Sequence, residues 1–171
     1  MVLRPGIEDL KVIGYYLGKI LIGLGLTMLL PIATAVLFKE INPFYDFLIS
    51  FFICVIFGQV LALLCKTNKD IDWVKSMVIV AVAWLAATVF GAIPFYLSGH
   101  WLSFLDCAFD SMSGFATTGL ALVQDLDHIS RSVNLWRHLI MFIGGQGVVV
   151  VALSFLVKGS AGAFRMYVGE A

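Results

Sequence analysis

Four apolar stretches, each close to the length that crosses a bilayer, take up most of this chain and decide the solvent it folds in. They fall at residues 12–38, 44–64, 76–97 and 139–157, and about 20 consecutive apolar residues make a transmembrane helix. Lipid offers no hydrogen bonds, so spans of this kind must close their backbone bonds internally as helices. The composition agrees: 61% of residues are hydrophobic and 13% charged, where soluble domains carry about 25% charged residues. The expected class is an all-α membrane protein with four transmembrane helices. A formal net charge of zero leaves no basic field for nucleic acid.

Punctuation inside the spans is sparse. Lys19 can snorkel from the first span, and Pro31 is expected to kink it. Asn42-Pro43 reads as the turn before the second span, and residues 66–75 as a polar connector before the third. The first apolar run is longer than the roughly 7–15 residues of a secretory core, so it is expected to remain as a helix. With the N-terminus in the cytoplasm, Arg4, Lys11, Lys19, Lys66, Lys69, Lys75, Lys158 and Arg165 lie inside. Only Lys39, Arg131 and Arg137 then lie outside, which obeys the positive-inside rule. Cys54, Cys65 and Cys107 are widely spaced in apolar surroundings and read as small buried hydrophobes. His100, His128 and His138 show no ligand spacing.

The segment between the third and fourth spans breaks the pattern. Ser103 and Asp106 have the spacing of a capping box, and an apolar-rich run follows to Phe115. A helix over residues 103–115 would be about 18 Å long, roughly half a bilayer. Ser113-Gly114-Phe115-Ala116-Thr117-Thr118-Gly119-Leu120-Ala121 comes next, too rich in glycine and threonine to continue it. Non-helical backbone at membrane depth is tolerated where protein buries it or where it lines a watery cavity. The order outer helix 76–97, short helix 103–115, loop 116–121, inner helix 139–157 reads as a re-entrant pore hairpin.

Such a loop suits a dehydrating cation. The C-terminal end of the short helix carries roughly half a negative charge, directed at the membrane centre. Backbone carbonyls of residues 117–121 can replace an ion's water shell, and Gly119 permits the angles this needs. The candidate ion-binding positions are Ala116, Thr117, Thr118, Gly119 and Leu120, with the ion at Thr117, Thr118 and Gly119. Leu120 is expected to pack behind the loop. No carboxylate sits in the loop, which favours potassium over a divalent ion. Asp106 and Asp110, four apart, share one helix face near the outer mouth. They form either a cation-attracting vestibule or, respectively, a helix cap and a bond to neighbouring backbone.

Gly144, Gly145 and Gly147 fall inside the fourth span without the strand or glycine frame of a nucleotide loop, and read as helix packing or a hinge. Gln146 among them is expected to make an interhelical hydrogen bond. Ala83, Ala87 and Gly91 form a small-residue face in the third span, as Gly14 and Gly18 do in the first. No acid–base pair, nucleophile or metal cluster is apparent, so the chain is read as a non-enzyme without a covalent cofactor.

Residues Asp106 to Gly119 resemble the first pore segment of the Trk/Ktr/HKT potassium-transporter superfamily, closest to its TrkH branch. Leu135-Trp136-Arg137 with Ile143-Gly144-Gly145-Gln146-Gly147 resembles the start of that family's inner helix. The end, Phe164 to Ala171, resembles its lead into a next repeat. The resemblance implies four helix–pore helix–helix repeats around one pore, preceded by two extra helices. Residues 1–65 then correspond to the extra pair, 76–157 to the first repeat and 158–171 to a cytoplasmic lead onward. It also implies that Thr118 and Gly119 give filter carbonyls, that the protein is a dimer in a bacterial cytoplasmic membrane, and that a cytoplasmic nucleotide-binding ring regulates it. Ala116 and Gln146 depart from the threonine and methionine usual there. One repeat gives one filter strand where a closed ring needs four, so the expectation is the N-terminal part of a longer transporter. The alternative is a non-conducting scaffold subunit.

Overall fold

The computed structural model describes residues 6–67 and 73–169, with side chains omitted at 7, 73, 74 and 151–169. Arg4 and residues 68–72 of the 66–75 connector, Lys69 among them, therefore lie outside the described residues. Among the described residues six helices follow one another: α1 Ile7–Thr27, α2 Leu29–Leu37, α3 Ile41–Leu64, α4 Trp73–Leu97, α5 Phe104–Phe115 and α6 Arg131–Gly169. The molecule is an all-α membrane protein. Glu8–Leu37, Ile41–Leu64 and Lys75–Leu97 have the length and apolarity of membrane spans. The fourth expected span lies within α6, and its side chains from residue 151 onward are not among those described.

Several helix ends differ from expectation, each for a local reason. The first span is two helices, α1 and α2, broken at Met28 rather than at Pro31. Proline lacks an N–H and crowds the carbonyl four residues earlier, so the fault appears one turn ahead. Met28 N–H bonds instead to the Gly25 carbonyl at 2.9 Å, and Thr27 Oγ1 donates to Leu24 at 2.7 Å. Asn42-Pro43 is not a turn but the first turn of α3, where proline's missing N–H would have had no partner anyway. Ser103 caps α5 rather than belonging to it. The long helix α6 starts well before the apolar stretch at 139 and continues past 157.

Two long-range contacts set the course of the chain. Lys75 Nζ pairs with Asp9 at 2.7 Å, so α1 and α4 start on the same side of the layer. On the opposite side, Glu40 in the α2–α3 turn accepts from Arg131 N at 2.8 Å, Ser132 N at 3.1 Å and Ser132 Oγ at 2.6 Å. A carboxylate thus meets the positive end of the α6 dipole and satisfies its first N–H groups. Arg131 also lies 4.2 Å from the Phe38 ring centroid.

Helices α1 and α3 meet backbone to backbone. A Cβ on Gly18 would stand 2.6 Å from the Gly58 carbonyl, and one on Gly14 would stand 2.5 Å from Cys65 Sγ. Small residues let apolar helices approach closely where lipid gives no hydrophobic drive. The buried Cys54 thiol donates to the Leu21 carbonyl at 3.2 Å within this seam.

Candidate functional site

The hairpin loop is built from the end of α5. At the N-terminus of that helix, Ser103 Oγ accepts from Asp106 N at 3.2 Å, while Asp106 Oδ2 accepts from Ser103 N at 3.0 Å and Ser103 Oγ at 2.9 Å. Asp106 is thereby engaged as half of a capping box.

At the other end the helix stops in a Schellman motif. Thr118 N–H bonds to the Ser113 carbonyl and Thr117 N–H to Gly114, both at 2.9 Å. The motif needs a left-handed residue after the cap, ordinarily glycine. Here Thr117 fills it with φ 56°. A β-branched residue in that region is strained by about 1–2 kcal/mol. Gly119, φ 76°, turns the chain again two residues later at no such cost.

Three contacts hold this strained segment. A Cβ on Gly144 would lie 2.0 Å from the Phe115 carbonyl oxygen, so α6 rests directly on the last turn of α5. A Cβ on Gly91 would lie 2.7 Å from Ser111 Oγ, and the Gly91 carbonyl accepts the Trp136 indole N–H at 3.0 Å. Asp110, 5% exposed, accepts from Leu122 N at 2.6 Å through Oδ1 and from Trp101 Nε1 at 2.7 Å through Oδ2. Trp101 is fixed in turn by a ring contact with Phe95 at 4.6 Å. Of the two sequence readings of Asp110, the geometry matches the bond to backbone.

The loop itself faces away from the chain. Every residue from Ala116 to Leu122 is exposed, Leu120 at 58%. Leu120 therefore does not pack behind the loop as expected; most of its surface is open, and only a small cavity separates it from Asp110 and α6. The loop lies beside Gly144, inside the apolar stretch 139–157 and roughly 20 Å along α6 from Arg131 at about 1.5 Å per residue. Exposed non-helical backbone at that depth needs a further wall or a watery path.

The glycines of α6 divide by role. Gly144 is the close contact, whereas a Cβ on Gly145 would sit an ordinary 3.6 Å from Thr117 Cγ2 and one on Gly147 3.4 Å from Trp84. The helix runs through all three without a break. Gln146 makes no hydrogen bond among the described residues; it lines, with Ala83, Ala87 and Trp84, an apolar cavity of about 470 Å³. The α1 and α4 residues across that cavity are largely apolar. Sequence reasoning missed the left-handed backbone of Thr117 and the roles of Trp101 and Glu40. Only Glu40 had a signal, an acidic residue in a short turn.

The geometry can be set beside known proteins. Residues 45–167, well over half of the chain, match the family model of TrkH, described as a cation transport protein. An uncharacterized cation transporter of Methanocaldococcus jannaschii is 35% identical over 96% of the chain and 34% of its own length. A Trk system potassium uptake protein TrkH of Halomonas elongata is 29% identical over 93% of the chain and 33% of its own. TrkG of the Trk potassium uptake system of Escherichia coli is 26% identical over 95% and 34%. The chain spans about a third of the length of these curated relatives. With its membrane helices and stapled hairpin loop, it belongs to the TrkH cation-transport protein family.

Proposed function

We propose that this chain contributes one repeat of a potassium-uptake pathway, with residues 117–121 as one quarter of the selectivity filter. The observation carrying this reading is an exposed, strained, non-helical loop set against the apolar stretch of α6 at Gly144 and stapled on one side only. Its open side is where the other three strands of a carbonyl ring would stand, supplied by the rest of a longer transporter. Relatives named for potassium uptake support the choice of ion. In this reading Asp106 and Asp110 shape the outer mouth from below by fixing α5 and the loop. The Lys and Arg distribution supports a cytoplasmic N-terminus, and the family resemblance implies a bacterial cytoplasmic membrane. A homodimer with a cytoplasmic nucleotide-binding ring completes the assembly that the family resemblance implies.

The test is growth at low potassium of a strain lacking its own uptake systems, carrying the full-length gene. Wild type restores growth, whereas Gly119→Asp and Thr118→Pro abolish it at equal membrane levels. Unchanged growth with both variants would leave the loop outside the pathway and favour the scaffold alternative.

A further inference from the structure

Directly behind Gly119 and Leu120 lies a cavity of about 20 Å³, bounded by Asp110, Gly114, Arg137, Ile140 and Met141. That is room for one water molecule. Its two ionisable walls have unfilled capacity. Asp110 accepts one bond at each oxygen, both from neutral donors, and a carboxylate has roughly four acceptor sites. Arg137, half-buried in the second turn of α6, makes no hydrogen bond or ion pair within 4 Å among the described residues. A buried carboxylate and a half-buried guanidinium that face one water-sized space are complementary in charge and in hydrogen bonding.

We propose that Asp110 and Arg137 form a water-bridged charge pair behind the loop, with Arg137 a specificity-determining positioning residue. The bridge joins the loop, held by Asp110 at Leu122, to α6, held by Arg137. It also cancels both charges beside the cation path. The signs predict an asymmetry. Asp110→Asn leaves Arg137 as a lone positive charge next to the loop, which repels the ion. Arg137→Gln removes that charge, so it should rescue the Asp110→Asn defect rather than add to it.

The transport arm rests on the filter reading above; the stability arm does not. In the full-length protein, the KM for potassium uptake should rise about tenfold or more in Asp110→Asn, the scale of close charge pairs. It should return most of the way in Asp110→Asn/Arg137→Gln. Melting temperatures of the purified wild type, both single variants and the double variant form a cycle that needs no transport. A double variant more stable than the sum of the single losses supports the bridge. Additive losses in both KM and melting overturn it. If Asp110→Asn does not accumulate, recovery of folded protein by adding Arg137→Gln supports the pair, and failure to recover contradicts it. Loss of all wild-type potassium uptake with a coupled melting cycle would sink the filter reading and leave the bridge standing.

Discussion

The α1–α3 pair and the α4–α5–α6 hairpin share one solvent and are held together differently. The first is joined by absence of side chains: Gly18 on Gly58, Gly14 on Cys65. The second is joined by polar groups, among them Asp110 to Leu122 and Trp101, and Trp136 to Gly91. The difference follows from what each must satisfy. Two continuous helices have no spare backbone groups, so close contact suffices. A chain that leaves helical geometry at membrane depth has N–H groups to satisfy, and side chains must reach in to do it.

One motif occurs in both regions and sharpens the contrast. The α2–α3 turn also ends a helix in a Schellman motif, with Glu40 N–H on Ala35 at 2.8 Å and Lys39 at φ 58°. There the left-handed residue is unbranched and at the surface, and the turn's carboxylate caps α6. In the loop after α5 it is Thr117, whose branched side chain raises the strain. Strain concentrated beside a candidate site, rather than spread evenly, is the pattern of a segment whose shape matters.

The comparison can be broken experimentally. The largest effect is expected from Gly144→Ala, because the new methyl meets the Phe115 backbone, which cannot step aside. Over-packing of this kind costs about 3 kcal/mol or more, and the melting temperature and the folded yield on size exclusion should both fall. Gly145→Ala, one residue on, should leave both unchanged. Gly18→Ala should destabilise by about 1–3 kcal/mol without altering the loop, read as a lower melting temperature with transport per folded molecule preserved. Glu40→Ala should cost about 1–3 kcal/mol by uncapping α6, and Glu40→Gln less. Equal losses from Glu40→Gln and Glu40→Ala would show that charge at the helix end carries the effect.

The smallest effect concerns pH. The His128 ring, 2.7 Å from Asp125, holds that carboxyl below its usual range. A depressed carboxyl contributes stability above its ordinary pKa and loses it as pH falls through the lowered value. Melting in mildly acidic buffer should therefore differ between wild type and Asp125→Asn only slightly, with the gap closing below about pH 4.

What could be read from the sequence was local. Apolar runs of membrane length marked four spans, three of which are span-length apolar helices among the described residues, while Ser103 and Asp106 marked the start of α5 and Gly119 a positive φ. Asn42-Pro43 misled because the dipeptide fits a helix's first turn as well as it fits a turn. The positive φ of Thr117 was hidden because that conformation runs against the residue's own preference and is imposed by the Schellman bonds. The Glu40 cap, the Trp101–Asp110–Leu122 relay and the Gly144 contact depend on which helices become neighbours. Sequence spacing carries no trace of that, although the glycine cluster announced that something would come close.

Residues 117–121, if they line an ion path, should hold a heavy congener of potassium. Crystals of the full-length protein grown in rubidium or thallium test it most directly through anomalous scattering. An ion path there gives a peak against the loop at Thr117 to Gly119, lost when potassium is restored in excess. A map with that loop covered by protein and no anomalous peak beside it would contradict the claim.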